Sequence, residues 1–285
     1  MEGGKLKNIV ITILLLLNLF LLLLVGGRWL EDAQSAESAR QSAIEVLHAS
    51  GVAVEDETVP HAMELRAAQA ARDLAREQTL AAALLSGAVE VEKRGGEVYR
   101  YSNANGYVQV HGTGEFSVRF EPGVYLLSDR PAREHGAAVL YRLEMDTVVL
   151  EDRVEQGRGT ITFRQMVGGV PVLNGQATLH YADGQLTQIS GGRWVVGEPV
   201  FSDQTGEITV ATALVRLLNG MKELGDVYNR IDAITPAYTH EVTLSGPAQL
   251  NPVWHVRTDT GEYRLDLRSG VISRWDGAVA AILAP

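Results

Sequence analysis

GTITFRQMVGGVPVLNGQATLHYADGQLTQISGGRWVV, residues 159–196, is the stretch whose reading decides the fold class. It holds three runs in which apolar and polar side chains alternate, the period-2 mark of strands that bury one face. Asp183-Gly184 lies between two of these runs and is the strongest short hairpin signal in the chain. An antiparallel meander is the expectation here.

The same pattern recurs on both sides. AVEVEKR, EVYRYSN, YVQVHG and EFSVRFEPG, within residues 88–123, alternate around the turn-forming pieces GG, NANG and GTG. Near the C-terminal end, YTHEVTLSG, LNPVWHVRTD, GEYRLDLRSG and VISRW read as a further set of strands. Helical spacing marks four other segments. Residues 31–50 place Ala36, Ala39, Ala43 and Leu47 on one face, with Gly51 as a stop. A short strand, residues 52–54, follows. A second helix is expected after Pro60, with Met63, Ala67, Ala70, Leu74, Ala81 and Leu84 aligned and Gly87 at its end. Residues 131–145 turn Ala132, Val139, Leu140 and Leu143 inward, and residues 207–219 do the same with Ile208, Ala211, Leu214 and Leu218. Helix followed by meander thus occurs about three times, after residues 60, 131 and 207. The class is α+β, antiparallel sheets with helices on one face, built as repeated helix-plus-meander units behind an N-terminal transmembrane helix. A composition break near residues 123–131 suggests an outer region divided into units 28–123 and 124–285.

Net charge is −10 over 285 residues. Residues 1–30 hold Lys5, Lys7, Arg28 and Glu2, leaving 22 Lys+Arg against 34 Asp+Glu for the remainder. So acidic a body is repelled by phosphate backbones, and no basic stripe offsets it, which argues against nucleic acid as a partner. The absence of cysteine removes disulfides, thiolate metal sites and cysteine nucleophiles.

Residues 1–8 form a lysine-bearing stub, and from Ile9 to Val25 the chain is apolar except for Thr12 and Asn18. With Gly26 and Gly27, this run approaches the length that spans a ~30 Å hydrocarbon layer at ~1.5 Å per residue. Lysines before it, with Glu31 and Asp32 soon after Arg28, place the N-terminus in the cytoplasm and the body outside. A cleaved signal peptide needs a small-x-small site close behind the apolar run. Ala33-Gln34-Ser35 lies too far on, so residues 9–27 read as an uncleaved single-pass anchor in the cell membrane. On that helix Asn18 shares a face with Ile11, Leu14, Leu21 and Val25. Taken alone, one Asn is tolerated in a leucine-rich helix without a partner; the other reading is an interhelical hydrogen bond.

The search for chemistry is sparse. Of the seven histidines, none pairs with another at i, i+3 or i+4, and no HExxH occurs. His180 and His255 lie on expected strands, and His61 with Glu64 opens an expected helix. Ser190 and Ser245 sit near glycines but lack the Gly-x-Ser-x-Gly frame. Asp146, Asp152 and Glu155 lie in EMDTVVLEDRVEQG, which reads as a surface linker. The glycine-rich pieces do not follow the strand-then-helix order of a phosphate cradle. No catalytic residue, cofactor or metal is expected.

Two stretches carry a resemblance. Lys5-x-Lys7-Asn8-Ile9 with Leu17-Asn18-Leu19-Phe20-Leu21-Leu22 is similar to the N-terminal anchor of the YycH/YycI regulators, departing from it at Gly3, where that family has a tryptophan. Residues 165–200, with LNPVWHVRTDTGEYRLDLRSGVISRW, resemble the meanders of YycI and of PepSY-type extracytoplasmic domains. The resemblance implies a non-enzymatic regulator of a cell-wall-sensing histidine kinase. Its membrane helix would contact the sensor histidine kinase through Ile11, Leu14, Asn18, Leu21 and Val25, and its outer body would pair with a sister single-pass protein. The alternative is a PepSY-like inhibitor or chaperone module acting on an extracytoplasmic protease or wall enzyme. A wall hydrolase would need a carboxylate pair in a cleft or an aromatic platform.

Overall fold

A computed structural model describes residues 34–276 except 63–64, 129, 206–207 and 243–246, and leaves the side chains of 203–205 undescribed. Residues 1–33 lie outside it, and with them the expected stub, the anchor and its face of Ile11, Leu14, Asn18, Leu21 and Val25. Among the described residues no helix is long and apolar enough to cross a membrane.

The described chain is α+β, with four α-helices and fourteen strands. Helix α1 covers 34–49, α2 Leu74–Leu84, α3 Ala132–Tyr141 and α4 Val210–Glu223. The strands are β1 Arg66–Ala70, β2 Glu90–Lys93, β3 Tyr99–Asn103, β4 Gly106–Val110, β5 Phe116–Phe120, β6 Asp146–Glu155 and β7 Arg158–Val167. They continue with β8 Val170–Ala182, β9 Gln185–Gly192, β10 Val200–Thr205, β11 Ile231–Glu241, β12 Ala248–Thr258, β13 Glu262–Asp266 and β14 Ile272–Arg274.

Eight strands make an antiparallel sheet in the order β6-β7-β8-β9-β5-β4-β3-β2. Helices α2 and α3 cover one face of it. Leu80, Leu84, Val139 and Leu140 meet Tyr101, Val118, Ile161, Phe163, Leu179 and Ile189 in one core. Side chains from both sides of residue 123, the expected unit boundary, share this core. The remaining strands run β10-β1-β12-β11, with β13 and β14 continuing from β12. Their core takes Ile44 and Leu47 of α1, Leu214, Leu217 and Met221 of α4, and Trp254, Val256 and Leu265. The two assemblies join where β8 and β11 run parallel, Val172 beside Tyr238. In chain order α2 precedes β2–β5, α3 precedes β6–β9 and α4 precedes β11–β14.

Local chemistry fixes the ends of these elements. Asp73 caps α2 by accepting from Arg76 N at 3.0 Å, and Thr209 caps α4 by accepting from Thr212 N at 3.2 Å. Arg40 on α1, almost fully buried, reaches Glu37 Oε1 and Asp56 Oδ1, each at 2.8 Å. It ties the helix to the loop that follows. Arg40 foremost, and His61 next, hold the Glu37 carboxyl down at about 2.

Three expectations require correction. The single helix after Pro60 is instead strand β1 and the shorter α2. Alanine favours helix, but Ala68 and Ala70 alternate inward and their backbone is claimed by β10 and β12 on either side. The surface linker EMDTVVLEDRVEQG is strand β6 and its turn. The strand expected at 52–54 is one isolated parallel bridge, Ala53 to Arg230.

Candidate functional site

The residues singled out for chemistry do not converge. His180 Nε2 lies 3.3 Å from Ser190 Oγ across β8 and β9, on the sheet face away from the helices, and burial lowers the pKa of that imidazole. Among the described residues no carboxylate bonds the other ring nitrogen. His255 Nε2 stands 2.8 Å from Glu262 Oε2, and His61 Nδ1 3.2 Å from Glu37 Oε2, at separate places. Asp146 and Glu155 sit at opposite ends of β6, while Asp152 faces Arg133 of α3 at 3.8 Å. Glu64 and Ser245 lie outside the described residues. Among those described, no group of three or more His, Asp or Glu could hold a metal ion.

Two features remain. The first is the four-strand stack β6–β9. Its three turns are Gln156-Gly157, Gly168-Gly169 and Asp183-Gly184, and all six residues have positive φ. These are two-residue turns of the I′ kind, whose twist matches that of the strands they join. The first and third turns also touch, Gly184 N donating to Gly157 O at 3.1 Å. Ile161, Phe163, Leu179 and Ile189 point from this stack into the core.

Among the described residues β6 pairs only with β7, and its other edge is left open. The register shifts between Val149 and Glu151, which leaves Leu150 as an extra, bulged residue. Opposite Ile161, Phe163 and Gln165 stand Asp152, Val149 and Thr147. Val148, Val149 and Leu150 are 46%, 38% and 41% exposed, a consecutive apolar run on a sheet edge. Sequence reasoning passed over this run because the bulge interrupts alternation and Asp146, Glu151, Asp152 and Glu155 surround it.

The second feature is a cavity of about 60 Å³ where the two assemblies meet, lined among others by Arg72, Glu77, His111, Trp194 and His240. Glu77 is buried and accepts from Arg72 Nε at 2.6 Å, Arg72 Nη2 at 3.0 Å and the Tyr101 hydroxyl at 3.0 Å. His240 is 2% exposed, and among the described residues neither of its ring nitrogens has a hydrogen-bond partner. Burial foremost, and Arg193 next, push its pKa down to about 4. Burial thus favours the neutral imidazole at this junction.

Residues 147–192 match the Fungalysin/Thermolysin Propeptide Motif, a span that runs from the second residue of β6 to the last of β9. The match supports the coarser half of the resemblance, a PepSY-like module, and does not reach the YycH/YycI assignment. No curated protein matches the sequence significantly. Among solved structures, an uncharacterized protein from Eubacterium rectale ATCC 33656 aligns at TM-score 0.44 and 12% identity, over 74% of this chain and 86% of its own. The Bacillus megaterium YpeB C-terminal domain aligns at TM-score 0.35 and 12% identity, over 72% of this chain and 98% of its own.

Proposed function

We propose that this chain is a non-catalytic regulatory module that binds and restrains a partner protein outside the cytoplasm, as a propeptide does its enzyme. The observation that carries the reading is the propeptide-motif match over residues 147–192, which falls on β6–β9. The motif's name points to a thermolysin-type protease as the partner class. Residues 9–27 anchor the module in the cell membrane and keep it near that target.

The finer reading from the resemblance attaches to the anchor. There, Ile11, Leu14, Asn18, Leu21 and Val25 contact a sensor histidine kinase, and a sister single-pass protein completes the assembly. A helix face biases a kinase between two packings only if it binds one of them better.

Titrating full-length protein in detergent micelles against thermolysin tests the first reading. Saturable inhibition is the expected result. No effect on thermolysin, or on any hydrolase co-purified from native membranes, would overturn it. Replacing residues 9–25 with an unrelated transmembrane helix separates the two readings. Inhibition survives that swap if the outer module acts alone; recovery of a kinase that depends on the native helix assigns function to the anchor.

A further inference from the structure

Strand edges are where a sheet recruits another chain, because every second residue there offers an unpaired N–H and C=O. The open edges of this fold differ sharply. β14 has three residues and β2 four, the latter alternating Glu90, Val91, Glu92 and Lys93. β10 has six, with Val200 and Phe201 exposed. β6 has ten, and carries the exposed Val148, Val149 and Leu150 at its centre.

We propose that the open edge of β6 is a docking edge that takes an extended segment of another protein as an added strand. That segment is apolar at its centre and carries lysine or arginine beside it. The proposal rests on the reading of the chain as a protein-binding module and names the surface and the chemistry of the partner.

Charge selects the occupant. β6 carries Asp146, Glu151, Asp152 and Glu155 against one cation, Arg153, which lies 2.5 Å from Glu151 Oε1. A basic strand finds opposite charges on both sides of the apolar run, and cross-strand pairs of opposite sign stabilise while like pairs oppose. A second copy of this chain fits poorly. Pairing two β6 strands antiparallel, so that the Val148–Leu150 stretches face each other, sets Asp146 against Asp152 at both ends. The bulge at Leu150 twists the edge and guards it against indiscriminate pairing, yet leaves the leucine outside the core.

The test uses full-length protein in detergent micelles and three labelled synthetic peptides, read by fluorescence anisotropy. One alternates valine and threonine between terminal lysines; the second replaces the lysines with glutamates; the third is the lysine peptide with a central proline. The lysine peptide should bind at least roughly tenfold more tightly than either control. Val148→Lys with Leu150→Lys should abolish that binding, and Glu151→Lys with Glu155→Lys should transfer the preference to the glutamate peptide. Circular dichroism and the unfolding midpoint confirm that these exposed substitutions leave the fold intact.

Failure of the lysine peptide to bind would overturn the inference. So would equal binding of the proline peptide, since that is charge attraction without a strand. Loss of binding on Val200→Lys with Phe201→Lys, but not on the β6 changes, would move the site to β10. Self-association of the wild type that disappears with Leu150→Lys would make a second copy the occupant and overturn the charge argument. Thermolysin inhibition that persists in all β6 variants sinks this inference alone; peptide binding at β6 without any inhibition sinks the functional reading alone.

Discussion

Asn174 on β8 grips the backbone of His240 on β11 from both sides. Its Oδ1 accepts from His240 N at 2.8 Å and its Nδ2 donates to His240 O at 2.8 Å. One side chain therefore reproduces a strand's pair of hydrogen bonds just beyond the parallel bridge of Val172 and Tyr238. Within the second assembly, the Tyr238 hydroxyl donates to Arg66 O at 3.0 Å and fixes the ring beside that bridge. The joint between the two assemblies thus combines the two bonds of Asn174 with two small apolar clusters, one of Ala68, Ala70, Val172, Val195, Tyr238 and Leu250 and one of Leu173, Ala237 and Val253.

Replacing Asn174 with leucine removes both bonds and leaves a backbone N–H and C=O at the joint without those partners. The cost should be about 2–4 kcal/mol, at about 1–3 per stranded buried group less some relief by water. Urea unfolding measures the loss. Hydrogen exchange locates it, since the His240 amide should lose protection while the Phe163 amide keeps its own. Equal loss at both would mean that the two assemblies unfold as one body.

Inside the larger core the polar cluster of Glu77, Arg72 and Tyr101 makes a second prediction. Glu77→Leu leaves the Tyr101 hydroxyl without its acceptor and takes from the partly buried Arg72 guanidinium its nearest carboxylate, leaving only the more exposed Glu97 at 3.7 Å. Destabilisation of about 2–4 kcal/mol should follow, whereas Tyr101→Phe should cost about 1 kcal/mol. Combining Glu77→Leu with Arg72→Leu should recover part of the loss, because the uncompensated charge goes too. A double-mutant cycle by denaturant unfolding tests this, and simple additivity of the two changes would count against the pairing.

How much of this was readable in advance depended on how local each signal was. The hairpin at Asp183-Gly184 was legible because a turn with two positive φ values admits few residue types. The inward faces of α3 and α4 were legible from spacing, as Val139, Leu140, Leu214 and Leu218 are all buried. β1 was not, because the alanines of RAAQA carry a helical preference that only pairing with β10 and β12 overrides. β6 escaped for a different reason: Leu150, the bulged residue, breaks the alternation that identifies a strand. The grip of Asn174 on His240 joins positions 66 apart and leaves no local trace. Of the candidate site, the anchor face lies outside the described residues, and the sequence of β6 reads as a linker because its acidic residues surround the apolar run.

Gly136 in α3 tests a close approach. Glycine inside a helix costs about 1 kcal/mol relative to alanine, so Gly136→Ala would ordinarily stabilise. Here a Cβ would stand 2.8 Å from Phe163 Cε2 and 3.0 Å from Leu179 Cδ2, both in the packed core. Overpacking should outweigh the gain in helix propensity, for a net loss of about 1–2 kcal/mol, and Gly136→Val should lose more. Thermal unfolding of the two variants decides it; a rise in midpoint for the alanine variant would show that α3 can lift off the sheet at little cost.

Acid should weaken the chain through His240. Its folded pKa, about 4, lies below the ordinary histidine value near 6.5, so the neutral form is the one that folding prefers. The sign follows: the contribution is fully present above about pH 6.5 and is lost progressively as pH falls toward 4, where the unfolded chain takes up a proton that the folded chain refuses. Arg72 and Glu77 from the β1–α2 segment, His111 after β4 and Arg193 after β9 lie about this cavity, and among the described residues that line it Glu77 is the one carboxylate. Glu77 is already committed to Arg72 and Tyr101. At about 1.4 kcal/mol per pKa unit, the full effect approaches about 3 kcal/mol. Carboxylates titrate in the lower part of the same range, so the measurement is a difference: urea unfolding of wild type and His240→Gln at intervals from pH 7.5 to 4. The two curves should converge toward pH 4, the wild type losing stability faster below pH 6.5, and parallel curves would remove His240 from the account.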